Sequence, residues 1–189
     1  MFLEPKFTLE QLVERCLKSE RKAQEMLYKH FAAKMLAVCM RYAADKMEAE
    51  DMLQNGFIKV FNKIADYRGD GSFEGWVRKI MVHSSIEYFR KHHKLMQVDS
   101  CWDGGVEPFV DPVAAANIDA KVLMEFIQQL PGGYRMVFNL YALEGYPHKD
   151  IATMLGISEG TSKSQLSRAR AILKDQIAKM ERKDYGYAR

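Results

Sequence analysis

Cysteine is scarce and poorly placed for chemistry: Cys16, Cys39 and Cys101 are the only three in 189 residues, and no two form a C-x-x-C pair. That excludes a disulfide framework and a zinc finger or ribbon, and it fits a reducing compartment. Long apolar runs are lacking too, since no stretch approaches the ~20 residues of a membrane span. The first ten residues carry Glu4, Pro5 and Glu10 where a signal peptide needs a basic start and an apolar stretch. A soluble, cytoplasmic protein without membrane insertion is therefore expected. A dominant charge is also missing: the formal net charge is +3, so any nucleic-acid role must rest on where the charges sit.

Catalytic and ligand motifs are equally thin. Asp66, Asp70 and Gly71 suggest a calcium loop, but its third and twelfth positions would be Arg68 and Val77, where oxygen ligands are required. Gly69, Gly71 and Gly75 miss the spacing of a dinucleotide loop and follow no predicted strand. His92 and His93 are adjacent, and adjacent side chains on a helix point apart. No nucleophile, base and orienting group can be assembled, so neither an enzyme, a cofactor nor a metal site is expected.

What is present is helical periodicity, with no alternation long enough for a strand and no internal repeat. Apolar residues recur at helical spacing over 8–94 and again over 118–180, which predicts an all-α chain of two small helical domains. Between them, 95–117 holds Asp99, Asp103, Glu107 and Asp111 without a Lys or Arg, together with Gly104, Gly105, Pro108 and Pro112. Such a segment reads as a flexible acidic linker. In the first block Met52, Leu53, Phe57, Val60, Phe61 and Ile64 trace a buried stripe, and Glu48, Glu50, Asp51, Gln54 and Asn55 lie off it. A Gly-rich break at Arg68–Gly71 comes next, with Ser72 a candidate cap for a helix ending in Arg90-Lys91-His92-His93-Lys94. The second block predicts helices over 118–129, 133–142, 147–155 and 159–179, with Pro147 in the first turn of the third.

The run Ile151 to Thr161 has the composition of a helix-turn-helix. Ala152 is small enough for a helix crossing, Gly156 tolerates positive φ, Ile151, Leu155 and Ile157 anchor the turn, and Ser158 can cap the second helix. On that helix Ser162, Leu166, Ala169 and Leu173 are expected to face inward. Lys163, Ser164, Ser167 and Arg168 then face out, with donors suited to base edges and phosphates in a major groove. From 160 to 183 there are seven basic residues against two acidic, and such a stripe tracks phosphates by releasing counter-ions.

The segment Glu159 to Arg170 closely resembles the promoter-reading helix of extracytoplasmic-function sigma factors of the sigma-70 family, and Ala49 to Phe61 resembles that family's polymerase-binding helix. The likeness implies that Lys163, Ser164, Ser167, Arg168 and Arg170 read a minus-35 element. It further implies that Glu50, Asp51, Gln54 and Asn55 dock on core RNA polymerase. Ser162, Gln165 and Asn55-Gly56 depart from the usual family pattern, the first two bearing on promoter sequence and Gly56 on helix strength or close packing.

Asp66 to Ile80 resembles the family segment that handles the minus-10 element, where strands separate. Opening a duplex without ATP requires tighter binding to the single strand than to the double one, hence aromatic walls and nearby cations. Tyr67, Arg68, Asp70, Ser72 and Phe73 on the loop, and Trp76, Lys79, Ile80 and His83 on the helix beside it, are the candidates. Arg90, Lys91 and Lys94 would face phosphates. An anti-sigma protein is the further partner that the resemblance implies. The rival reading is a conventional DNA-binding regulator, which has no need of the Glu50-Asp51 helix or of the Tyr67 to Phe73 loop.

Overall fold

The computed structural model describes residues 7–92 and 119–186. The linker expected over 95–117, and Lys94, lie outside them. The chain divides into two compact units, Met1–Tyr88 and Phe89–Arg189. Among the described residues the regular structure is helical throughout.

The first unit contains α1 (Leu9–Leu17), α2 (Arg21–Met40), α3 (Lys46–Lys63), a single 3₁₀ turn (Ile64–Asp66) and α4 (Phe73–His92), whose last residues belong to the second unit. Local chemistry fixes the helix starts. Thr8 and Gln11 form a reciprocal capping box on α1. On α3 the Asp45 carboxylate accepts from the Glu48 amide at 2.8 Å, while the Glu48 side chain accepts from the Ala44 amide. The Ser72 hydroxyl accepts from the Gly75 amide at 3.1 Å, the cap expected for α4.

Leu27, Phe31 and Met35 on α2 meet Met52, Phe57 and Val60 on α3, with Val77 and Met81 from α4; all are buried. Each such side chain contributes about 1.5–3 kcal/mol by leaving water. Gly56 on α3 lies against the Met81 side chain of α4. A Cβ built there would lie 2.2 Å from the Met81 sulfur, so the glycine serves close packing.

The second unit holds α5 (Ala120–Gln129), α6 (Gly132–Phe138), a π-helical turn (Asn139–Leu143), α7 (His148–Leu155) and α8 (Glu159–Gly186). Three boundaries differ from expectation. The segment read as one helix over 133–142 changes from α to π pitch at Asn139, with Asn139 and Leu140 buried and Tyr141 and Leu143 exposed. Pro147 stands at the N-cap of α7 rather than inside its first turn, and α8 continues beyond residue 179 to Gly186. Arg135 is buried, and its guanidinium donates to the carbonyls of Gln128 at 2.7 Å and Leu130 at 3.2 Å. That cation satisfies the C-terminal end of α5.

Candidate DNA and polymerase interfaces

The helix-turn-helix is built as its residues require. Gly156 adopts φ of +70°, and the amides of Gly156 and Ile157 both return to the Ala152 carbonyl, at 2.9 and 3.0 Å. The Ser158 hydroxyl accepts from the Thr161 amide at 2.9 Å and starts α8. Ser162, Leu166, Ala169 and Leu173 are buried along its inner side.

The outer residues differ in freedom. Lys163 and Ser167 are exposed, and Lys163 pairs with Glu159 at 2.7 Å one turn back. Arg168 is half-buried, and its guanidinium donates to the Tyr134 hydroxyl at 3.3 Å. Ser164 donates to the Thr161 carbonyl at 3.0 Å, which ties its hydroxyl to its own helix. Arg170 lies over the Tyr141 ring, 5.7 Å from the centroid, so it shares its charge with a protein surface.

The departures at 162 and 165 fall on interior positions of α8. Ser162 is fully buried, with its hydroxyl 2.9 Å from His148 Nδ1. Gln165 is buried with its amide against Gly133, where a Cβ would meet Nε2 at 3.2 Å. Both seat α8 rather than present it.

In the first unit Glu50, Asp51, Gln54 and Asn55 are exposed on α3. Glu50 and Gln54 edge a groove of about 240 Å³ against α2, floored by Tyr28, Leu36 and Leu53. Asp51 accepts from the Tyr88 hydroxyl at 3.4 Å, and Asn55 donates back to the Asp51 carbonyl at 2.9 Å. Burial, and then the Asp51 carboxylate, push the Tyr88 phenol above its ordinary pKa.

The loop before α4 is closed by the Tyr67 hydroxyl, which donates to the Gly71 carbonyl at 2.7 Å, while Gly69 and Gly71 take positive φ. Tyr67 meets Phe73 edge-on at 5.0 Å and Trp76 at 5.7 Å, and Phe73 lies 5.5 Å from Trp76. Phe73 is buried and also touches Phe31 at 5.9 Å. It is thus the buried member of this aromatic cluster. Arg68, Asp70 and Ser72 are exposed on the loop. Trp76, Lys79, Ile80 and His83 come together along a second groove, of about 200 Å³, whose other wall is α3. Arg90 and Lys91 are exposed at the end of α4.

Two family models match the chain: "Sigma-70 region 2" over residues 27–95 and "Sigma-70, region 4" over 120–173. Together they cover more than half of it, in the order the two motifs predict. The chain belongs to the sigma-70 family. This sigma factor is a transcription initiation factor that directs promoter-specific transcription, not an enzyme. It is 29% identical to an RNA polymerase sigma-H factor of Pseudomonas aeruginosa over 184 residues, 85% of this chain and 89% of the relative. It is 24% identical to an extracytoplasmic-function RNA polymerase sigma-E factor of Haemophilus influenzae over 177 residues, 88% and 93% of the two chains. Among solved structures, the sigma factor RpoE in complex with the anti-sigma factor NepR from Bartonella quintana is similar over 82% of this chain and 96% of that one, at 20% identity and a TM-score of 0.48.

The region 2 match spans most of α2 together with α3 and α4 of this sigma factor, and the region 4 match runs from α5 to Leu173 on α8. No described helix is long and apolar enough to cross a membrane, and no group of metal-ligating side chains occurs among the described residues. Sequence reasoning missed Lys59 and Lys63, which α3 contributes to the second groove, and Tyr134, which holds Arg168. Only the packing of partners distant in sequence brings these residues to the candidate sites.

Proposed function

We propose that this sigma factor acts in the cytoplasm by docking the acidic face of α3, through Glu50, Asp51, Gln54 and Asn55, on core RNA polymerase. In this reading α8 reads the duplex minus-35 element with Lys163, Ser167 and Arg168, while Ser164 and Arg170 contact the flanking backbone. The Tyr67 to Ser72 loop and the α4 face of Trp76, Lys79, Ile80 and His83 capture the separated minus-10 strand. Arg90, Lys91 and Lys94 follow its phosphates, and the segment 95–117 tethers the domains 8–94 and 118–180. An anti-sigma protein covering the α3 face is the natural antagonist, since it would compete directly with polymerase.

The observation that carries this reading is the coexistence in one chain of two unlike DNA faces: an exposed basic helix suited to a duplex groove, and an aromatic and cationic groove suited to unpaired bases. A conventional regulator needs the first and has no use for the second. Run-off transcription with core polymerase on a promoter library tests it. Discrete transcripts that depend on the added protein are expected. Failure to start RNA chains with any bacterial core, alongside tight binding of intact duplex by the protein alone, would overturn the proposal in favour of a regulator.

A further inference from the structure

The groove between α3 and α4 contains more than the α4 residues that sequence reasoning assigned to it. Its second wall carries Lys59 and Lys63, one turn apart on α3, and Glu87 stands at one end. Lys59 is held there: its ammonium lies 2.6 Å from the Glu87 carboxylate, and its side chain is 32% exposed, so its methylenes line the groove while its charge sits at the mouth. Lys63, Lys79 and His83 are exposed around the same opening, and Trp76 and Ile80 are half-buried at its base. Three lysines converge on a half-buried indole and face one carboxylate. That charge balance fits a strand of phosphates with bases turned inward, as on the stacking platforms of single-strand binders.

The carboxylate is the odd member. An acid inside a phosphate-binding groove repels its ligand, and a solvated ion pair such as Lys59–Glu87 adds little to folding. Its effect on Lys59 is larger, since the lysine is held in place and neutralised until something more negative arrives. We infer that Lys59 and Lys63 form the second wall of a single-strand DNA groove, and that Glu87 guards it by holding Lys59 until a DNA phosphate takes the carboxylate's place. This rests on the reading of α4 as the minus-10 face, and it adds a wall and a competing group to that face.

The test measures binding of the full chain to labelled single-stranded DNA of about 12 nucleotides, within the usual site size, by fluorescence anisotropy across a salt series. Removing both lysines (Lys59→Ala with Lys63→Ala) is expected to flatten the slope of log K against log salt by about 1.4, or about 0.7 for each phosphate no longer neutralised. Glu87→Gln is expected to tighten binding about two- to fivefold, the scale of an exposed ion pair. That gain should largely disappear when Lys59 is already Ala. An unchanged slope in the double-lysine variant overturns the wall. Glu87→Gln that fails to tighten binding, or that tightens it equally without Lys59, overturns the guard.

Thermal melting checks that each variant folds, and Lys59→Met, which keeps the stem, replaces Lys59→Ala if the latter does not. Trp76→Ala and Lys79→Ala, run in parallel, separate the two levels of failure. If they weaken single-strand binding while the α3 lysines do not, only this inference falls. If wild type binds the single strand no better than duplex, and these variants change nothing, the minus-10 reading falls with it.

Discussion

The two proposed DNA faces of this chain are built in opposite ways. On α8 the candidate residues 163–170 occupy a single helix, so their mutual geometry follows from helical pitch and could be read from spacing alone. The groove of the first unit is assembled from α3 and α4, whose facing residues Lys59 and Glu87 are 28 positions apart. A site on one element is legible as a motif, whereas a site between elements is legible only by half. The α4 face is visible because Trp76, Lys79, Ile80 and His83 recur at helical spacing, and the α3 wall is not because nothing local marks it.

The largest effect expected in either unit lies on the acidic face of α3 that carries Glu50 and Asp51. Asp51→Arg places a cation in the middle of the proposed docking face and should cost about 2–5 kcal/mol of association with core polymerase, the scale of a broken interfacial charge pair. The protein should no longer co-elute with core while its circular dichroism is unchanged. Undiminished co-elution would remove α3 from the polymerase interface and leave the first unit with a DNA role alone.

Trp76→Ala should separate the two faces most cleanly. Loss of one stacking platform is worth about 1–3 kcal/mol, and it should reduce permanganate reactivity of the opened strand while closed-complex binding through α8 persists. Equal reactivity in variant and wild type would make the indole plain core. On the other face, Lys163→Ala or Arg168→Ala should cost about 1–3 kcal/mol of discrimination at the minus-35 element with opening intact once bound. Arg168 is the sharper of the two because the Tyr134 hydroxyl already orients its guanidinium, whereas Lys163 must first leave Glu159. An unchanged upstream preference in both variants would refute readout by α8.

Gly56 tests whether the groove depends on helix spacing. Alanine there gains about 1 kcal/mol of helix propensity but drives a Cβ into Met81, 2.2 Å from its sulfur. Overpacking of this kind costs about 1–3 kcal/mol, and the thioether can yield only partly between packed helices, so a net loss of about 1 kcal/mol is expected in urea unfolding. Replacing Met81 by a smaller residue in the same chain should recover part of that loss. Stabilisation by Gly56→Ala alone would mean that the Met81 thioether swings aside and that the glycine is not required for this packing.

Sequence carried the fold class, the apolar stripe of α3, the Ser72 and Ser158 caps and the αL turn at Gly156, because each is decided within a few residues by pitch, capping or φ. It could not register that Phe73 lies under Tyr67 and Trp76, since a Phe at the start of a helix reads alike whether it faces Phe31 or solvent. Nor could it show what Ser162 and Gln165 touch where they seat the helix. Spacing alone does turn Ser162 inward, but the partner that makes an inward hydroxyl acceptable, His148, lies 14 positions away on α7.

That partner gives the smallest expected effect, and one confined to the helix-turn-helix. The His148 ring stacks on Tyr141 at 4.6 Å and 20°, with Nδ1 2.9 Å from the Ser162 hydroxyl. Burial first, and then the nearby charges of Lys163 and Arg170, hold its pKa below the ordinary 6.5, while Glu159 opposes them. Protonating the ring therefore costs the folded chain more than the unfolded one, in which it titrates near that ordinary value. The contribution to stability is intact above 6.5 and is lost as pH falls below it. Between about pH 7.5 and 5.5 the melting temperature of the second unit should fall in wild type more steeply than in His148→Gln, which cannot take up the proton. Bound DNA weakens the effect, because a phosphate beside Lys163 offsets the cation that disfavours the imidazolium while burial remains, so the difference should narrow in the promoter complex. Parallel melting curves for the two proteins without DNA would mean that the ring titrates as freely in the folded helix-turn-helix as in the unfolded chain.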